Sequence, residues 1–166
     1  MTFRPLAAVW AAGLALSAGC RLEDHTPAGT RHDEDAIQHV VNEYARHLSE
    51  RDWSGVRSLF WDGGGYAGFI APGVPRGLAA VPIDSALAGL NRALLGSEPS
   101  DYDVRIVRTD LRQEGDLAAV WASTRRRVPG AGGPTERDWV EHLVLRRAGD
   151  DWRILSVAAT PWPRRH

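Results

Sequence analysis

From Tyr102 to Pro161 the chain reads as four long strand segments divided by turn signals, and this stretch constrains what the rest can fold into. Tyr102 to Gln113 is rich in β-branched residues and ends at the turn Glu114-Gly115-Asp116. Leu117 to Val128 returns, and Pro129-Gly130-Ala131-Gly132-Gly133-Pro134 makes a flexible loop. Arg137 to Arg147 follows, then a turn at Ala148-Gly149-Asp150-Asp151, and Trp152 to Thr160 closes the series before Pro161. Such short connections join only antiparallel neighbours, because a parallel pair needs a crossover of a dozen residues or more. The segment is therefore predicted to be an antiparallel meander, whose apolar face requires a cover of helices.

That cover lies upstream. Ile37, Val40, Val41, Tyr44 and Leu48 recur at helical spacing and form one apolar stripe, with Asp33 or Asp35 placed to cap the helix. Asp52 caps a second, short helix carrying Trp53, Val56, Leu59 and Phe60, which Asp62-Gly63-Gly64-Gly65 breaks. A short strand over Tyr66 to Ala71 and a turn at Pro72-Gly73 come next. A third helix runs from about Pro82 through Leu87, Leu90 and Leu94 and stops at Gly96. Helices followed by a meander give an α+β fold, with no internal repeat.

The N-terminus has a different character. Arg4 precedes the apolar run Leu6 to Leu16, small residues follow, and the only cysteine is Cys20. A charged start, a short apolar middle and small residues at the cut make a secretory signal, and the run falls short of the ~20 residues a membrane span needs. Leu16-Ser17-Ala18-Gly19-Cys20 resembles the lipobox of bacterial lipoproteins. The resemblance implies cleavage before Cys20 and acylation of its thiol and new amino group, anchoring the chain to a membrane through lipid. An ordinary signal peptide or an uncleaved anchor are the plainer alternatives. Arg21, in place of aspartate, leans by the same resemblance towards the outer membrane of a bacterial cell envelope. Residues 1–19 thus read as signal peptide, 20–32 as lipidated cysteine and flexible tether, and 33–166 as one domain. At ~3.3–3.6 Å per extended residue the tether reaches up to ~40 Å.

Composition closes several routes. The chain has no lysine, so Schiff-base chemistry is excluded. One cysteine allows no intrachain disulfide. The formal net charge of -1, with acids and bases interspersed, provides no basic face for nucleic acid.

The order of elements, with Asp52-Trp53 opening the second helix and Gly149-Asp150-Asp151-Trp152-Arg153-Ile154 closing the meander, resembles the nuclear transport factor 2-like superfamily, which includes SnoaL-like cyclases. The resemblance spans roughly Asp33 to Pro161 and rests on element order more than on any single motif. It implies three helices packed on a strongly bent, mainly antiparallel sheet, a cone with a pocket at its open end, and a homodimer through the outer sheet face. Ketosteroid isomerases of this superfamily place an oxyanion-hole tyrosine on the first helix, and Tyr44 and Asp52 keep the family spacing. Their general-base aspartate and protonated acid would fall near Gly68 and near Leu143, beside His142; neither acid is present.

Asp35, His39, Glu43 and His47 recur every four residues on the first helix, a spacing that could gather ligands around zinc. They lie opposite the apolar stripe, where i,i+4 ion pairs are the plainer reading, so neither metal nor cofactor is expected. Among the seven tryptophans, Trp121, Trp139, Trp152 and Trp162 lie on or after the meander. Trp139, Glu141, Leu143 and Leu145 share one strand face that the resemblance points into the cone, joined by Leu155, Val157 and Ala159 from the last strand. The candidate pocket is therefore Tyr44, Trp121, Trp139, Glu141, Leu143, Leu155 and Val157. Glu141 is either a base or the partner of a neighbouring arginine such as Arg125. A mostly apolar pocket suits binding of a small apolar ligand or a partner better than acid–base catalysis. The alternatives are a cyclase, isomerase or dehydratase using Tyr44, Glu141 or His142, and a dimerising scaffold whose cone is filled by its own side chains.

Overall fold

The computed structural model describes residues 31–68 and 80–162. The signal peptide, Cys20 and nearly all of the tether lie outside these residues. So do the turn at Pro72-Gly73 and the end of the predicted first strand. Among the described residues no helix is long and apolar enough to cross a membrane.

Helix α1 spans Arg31–Glu50. It begins two residues before the expected domain start, so Asp33 lies inside its first turn rather than before it. There Asp33 is buried and pairs with Arg147 at 2.6 Å, fastening the start of the helix to the sheet. The stripe Ile37, Val41, Tyr44 and Leu48 is buried as its spacing requires. Arg51 ends the helix in the left-handed region (φ 57), and its guanidinium donates to the carbonyls of Ser97 and Glu98. Asp52 then caps α2 (Trp53–Ser58), its Oδ1 accepting the Gly55 amide at 2.9 Å.

The triple glycine does not end a helix; it lies inside a strand. Strand β1 runs Phe60–Gly68, beginning before the glycines. Phe60 pairs with Ile154 and Gly65 with Ser156, so Trp61 to Gly64 form a bulge, in which Gly63 takes the positive φ (78) that favours glycine. Gly64 is packed so closely that a Cβ would sit 2.9 Å from the Phe60 ring. Gly68 is tighter still. It has φ +124, and a Cβ there would lie 1.9 Å from the Ala159 carbonyl oxygen. A two-residue strand β2 (Val81–Pro82) leads into α3 (Ile83–Ala93).

The meander forms as predicted: β3 (Asp103–Glu114), β4 (Leu117–Val128), β5 (Thr135–Ala148) and β6 (Asp151–Pro161). The six-stranded sheet has the order β2-β1-β6-β5-β4-β3, antiparallel except where β1 runs parallel to β6. The helices fill its concave side. Ile37, Val41, Tyr44 and Leu48 from α1 and Ile83, Leu87 and Leu90 from α3 meet the inward residues Val120, Leu143, Leu145, Ile154 and Val157. Period-two alternation along β4 and β5 decides which residues join this core.

Candidate functional site

One buried ion pair organises the interior. On β4, Ala118, Val120, Ala122, Thr124 and Arg126 point inward, which takes the Arg126 guanidinium into the core at 1% exposure. Its partner is Glu141 on β5, at 0%. Arg126 Nε donates to Glu141 Oε1 at 3.3 Å, while Nη2 lies 2.8 Å from the same oxygen, outside good hydrogen-bond alignment. Thr124 Oγ1 donates to Oε1 at 2.7 Å, and the Tyr44 hydroxyl donates to Oε2 at 3.3 Å. Arg126 also lies over the Trp139 ring, 4.8 Å from its centroid. Both carboxylate oxygens of Glu141 are therefore engaged.

Tyr66 and Tyr102 complete the cluster. The chain has three tyrosines, Tyr44, Tyr66 and Tyr102, and all three line one small void together with Arg126. The remaining wall is apolar: Leu48, Val56, Ile83, Ala86, Leu87 and Leu90. The void has a volume of ≈ 10 Å³, room for about one water-sized atom group. The hydroxyls of Tyr66 and Tyr102 are buried; that of Tyr66 lies against the Arg126 guanidinium without ideal alignment, and that of Tyr102 finds no hydrogen-bond partner of good geometry among the described residues. Burial, reinforced by the Glu141 charge, pushes the Tyr44 hydroxyl well above the usual phenol range. Burial likewise raises Tyr66 and Tyr102, so all three are neutral hydroxyls at physiological pH. Burial works against the charge on Arg126, but the Glu141 carboxylate together with Tyr66, Tyr102 and Tyr44 more than offsets it and holds the guanidinium protonated.

The sequence candidates divide accordingly. Tyr44 lines the void. Trp139 and Glu141 reach it through Arg126, whereas Leu143 and Val157 are fully buried packing residues beside it. Two candidates fall elsewhere. Trp121 is 54% exposed on the outer sheet face, where it stacks on His142 with ring centroids 4.4 Å apart. Leu155 is only half-buried, because the register between β5 and β6 shifts there: Val144 pairs with Ser156 and Leu145 with Ile154, leaving Leu155 as the extra residue of a bulge. Arg125 is not the partner of Glu141. It faces outward and pairs with Asp138 at 2.9 Å, since adjacent strand residues point to opposite faces. On the surface row of α1, Glu43 pairs with Arg46 at 2.6 Å, and His47 Nδ1 lies 2.8 Å from an Asp52 carboxylate oxygen. Among the described residues no group of three or more His, Cys, Asp or Glu side chains could hold a metal ion.

Sequence reasoning missed Arg126, Tyr66 and Tyr102. The signal for Arg126 was present, because it keeps the parity of Val120 and Thr124. Tyr66 and Tyr102 carry no periodic signal, lying at the glycine bulge and just before β3.

The sequence profile of the SnoaL-like domain matches residues 29–158. The chain belongs to the SnoaL-like family. Solved structures share the SnoaL-like chain's fold at low identity. A nuclear transport factor 2-like protein with a cystatin-like fold from Novosphingobium aromaticivorans aligns with a TM-score of 0.60 at 18% identity, covering 77% of this chain and 80% of that one. A cystatin-like-fold protein from Caulobacter vibrioides aligns with a TM-score of 0.61 at 14% identity, over 78% and 89%. The CaMKII hub of S. rosetta aligns with a TM-score of 0.61 at 14% identity, over 77% and 95%. At these identities the likeness establishes the fold alone: the nuclear transport factor 2-like cone, with three helices on a bent, mainly antiparallel sheet. No curated protein matches the sequence.

Proposed function

We propose that this SnoaL-like domain is a membrane-anchored binding module of the bacterial cell envelope, held by lipid on Cys20, whose cone receives a small molecule with an apolar body. The observation that carries the reading is the convergence of all three tyrosines and Arg126, itself paired with Glu141, on one void in an otherwise apolar core. Ligand sites combine apolar walls with a few converging polar groups. A buried ion pair is a costly way to gain stability, so its position at the void supports a role beyond packing. Binding is favoured over catalysis because Glu141, the one carboxylate of the cluster, does not line the void and is held by Thr124, Arg126 and Tyr44. A general base needs a free oxygen within reach of the substrate's proton. The reading requires no cofactor and no nucleic acid.

Cleavage before Cys20, residence in the outer membrane rather than the inner one, and pairing of two copies through the outer sheet face belong to the same proposal. The exposed Trp121 and its stack on His142 support that face as the contact.

The test is native mass spectrometry of the full chain extracted from its own membranes. A small molecule retained by the wild type and lost from Leu87→Trp, which fills the apolar side of the void, is the expected result. An empty wild-type protein in every preparation overturns the reading. One observation favours a second reading, a dimerising scaffold with a self-filled cone: the void is only ≈ 10 Å³, so a ligand larger than water must displace side chains on entry. That reading expects no retained molecule and a dimer.

A further inference from the structure

We infer that a groove between α1 and the open edge of β6 is a second binding site, and that it takes a free α-amino acid with an aliphatic side chain. The site is independent of the cone, since the groove and the void share no lining residue.

The strand arrangement creates the groove. β1 begins at Phe60, opposite Ile154, so Asp151, Trp152 and Arg153 at the start of β6 have β5 on one side and no strand on the other. The Ile154 amide donates to the Leu59 carbonyl at 2.8 Å, which fixes the side on which this edge is open. Backbone groups alternate sides along an antiparallel strand, so the Trp152 amide and carbonyl point to that same open side. The gap has a volume of ≈ 270 Å³. Sites for drug-sized molecules run from ~300 to ~1,000 Å³, so this one suits an occupant as small as a single amino acid.

The lining combines an apolar floor with unpaired charge. Ala36 and Val40 from α1, Leu59 and the Trp152 ring supply the floor. Trp152 is 4% exposed, and its indole N–H has no hydrogen-bond partner among the described residues. Such a buried donor in a groove wall is stabilised by a bound acceptor. Asp150, Asp151 and Arg153 form the rim and are exposed. Among the described residues none of the three makes an ion pair or a side-chain hydrogen bond. Arg57, Arg125 and Arg147, by contrast, each have a carboxylate partner.

The order of charges selects the ligand. Asp151 and Arg153 stand two residues apart on the same side of β6, about 6.6 Å along the strand. A carboxylate alone would pair with Arg153 but lie against two aspartates. An amine alone would satisfy the aspartates but meet a guanidinium. An α-amino-acid head group carries both charges on one carbon, its ammonium towards Asp150 and Asp151 and its carboxylate towards Arg153, which can grip it with two N–H donors. The open Trp152 backbone offers one further donor and one further acceptor to the same head group. The aliphatic side chain then covers Val40 and Leu59.

The experiment titrates three probes into the full chain at neutral pH, followed by saturation-transfer NMR: L-leucine, 4-methylpentanoate, which lacks its ammonium, and 3-methylbutylamine, which lacks its carboxylate. Leucine is expected to bind at least about five-fold tighter than either analogue, the ratio that one charge-assisted contact at an exposed site supports. Arg153→Gln and Asp151→Asn, both changes to exposed side chains, are each expected to weaken leucine by about five-fold. Leucine should also shift the indole N–H resonance of Trp152, assigned with Trp152→Phe. An analogue that binds as tightly as leucine overturns the inference, as does wild-type protein that binds no leucine up to ~10 mM. Leucine affinity unchanged in both rim variants places the amino acid elsewhere and overturns it too. The probe comparison uses the wild type, so it does not depend on the variants folding.

Discussion

Arg126 and Glu141 share the inward face of adjacent strands, where Arg126 is in register with Arg137 and Glu141 with Ala122, and their side chains meet at 2.8 Å in the interior with neither more than 1% exposed. Removing one partner strands the charge of the other. Arg126→Met or Glu141→Gln alone is expected to destabilise the fold by about 3–5 kcal/mol. The double replacement Arg126→Met with Glu141→Leu should cost much less than the sum, because it removes both charges at once. Urea unfolding of the two single variants and the double variant checks this. Additive losses would mean that the pair is not coupled as its geometry indicates.

The corner between α1 and α2 should be sensitive to acid. The Gly55 amide, the Ser54 hydroxyl and His47 all hold the Asp52 carboxyl below its usual range. A carboxylate lowered in the folded state contributes stability above its unfolded value near ~3.9, and that contribution is lost as pH falls through its lower folded value. Asp52→Asn should therefore flatten part of the decline in unfolding midpoint between pH 6 and pH 2. Identical pH profiles for variant and wild type would remove Asp52 from the explanation.

On the outer sheet face, Trp121→Asp should shift the protein from dimer to monomer in sedimentation velocity. It should leave the circular dichroism spectrum unchanged, since Trp121 is 54% exposed and outside the core. A wild type that sediments as a monomer at all concentrations refutes the sheet-mediated pair.

Cys20→Ser should move the full chain from the membrane fraction to the soluble envelope fraction, because acyl chains bind bilayers in proportion to their buried methylenes. Retention of the variant in the membrane would assign the anchoring to something other than lipid on Cys20.

The fold was legible wherever one face of an element had to be buried. The stripe Ile37, Val41, Tyr44 and Leu48 announced α1, and the alternation through Trp139, Glu141, Leu143 and Leu145 announced the inner face of β5. What escaped was local irregularity. Phe60 looked like the end of a helix because a bulge of glycines followed it, although it already pairs with Ile154. Leu155 kept the parity of Val157 on paper, yet a one-residue register shift turned it away. The site was half visible for the same reason. Tyr44 and Glu141 lie on regular elements, whereas Tyr66 and Tyr102 lie where periodicity says nothing. Arg126 was obscured by its neighbours Arg125 and Arg127, with which it shares charge but not direction.

Gly68, at the surface end of β1, brings its backbone so near the Ala159 carbonyl that no side chain fits between them. Tyr66 lies two residues away on the same strand and pairs with Val157. Any larger residue at Gly68 would lever β1 off its parallel neighbour and carry the Tyr66 hydroxyl out of the cone. The placement of a buried polar group thus depends on a residue that has no side chain and never touches the void, and substitutions tolerated by the exposed rim could still empty the interior of its aim.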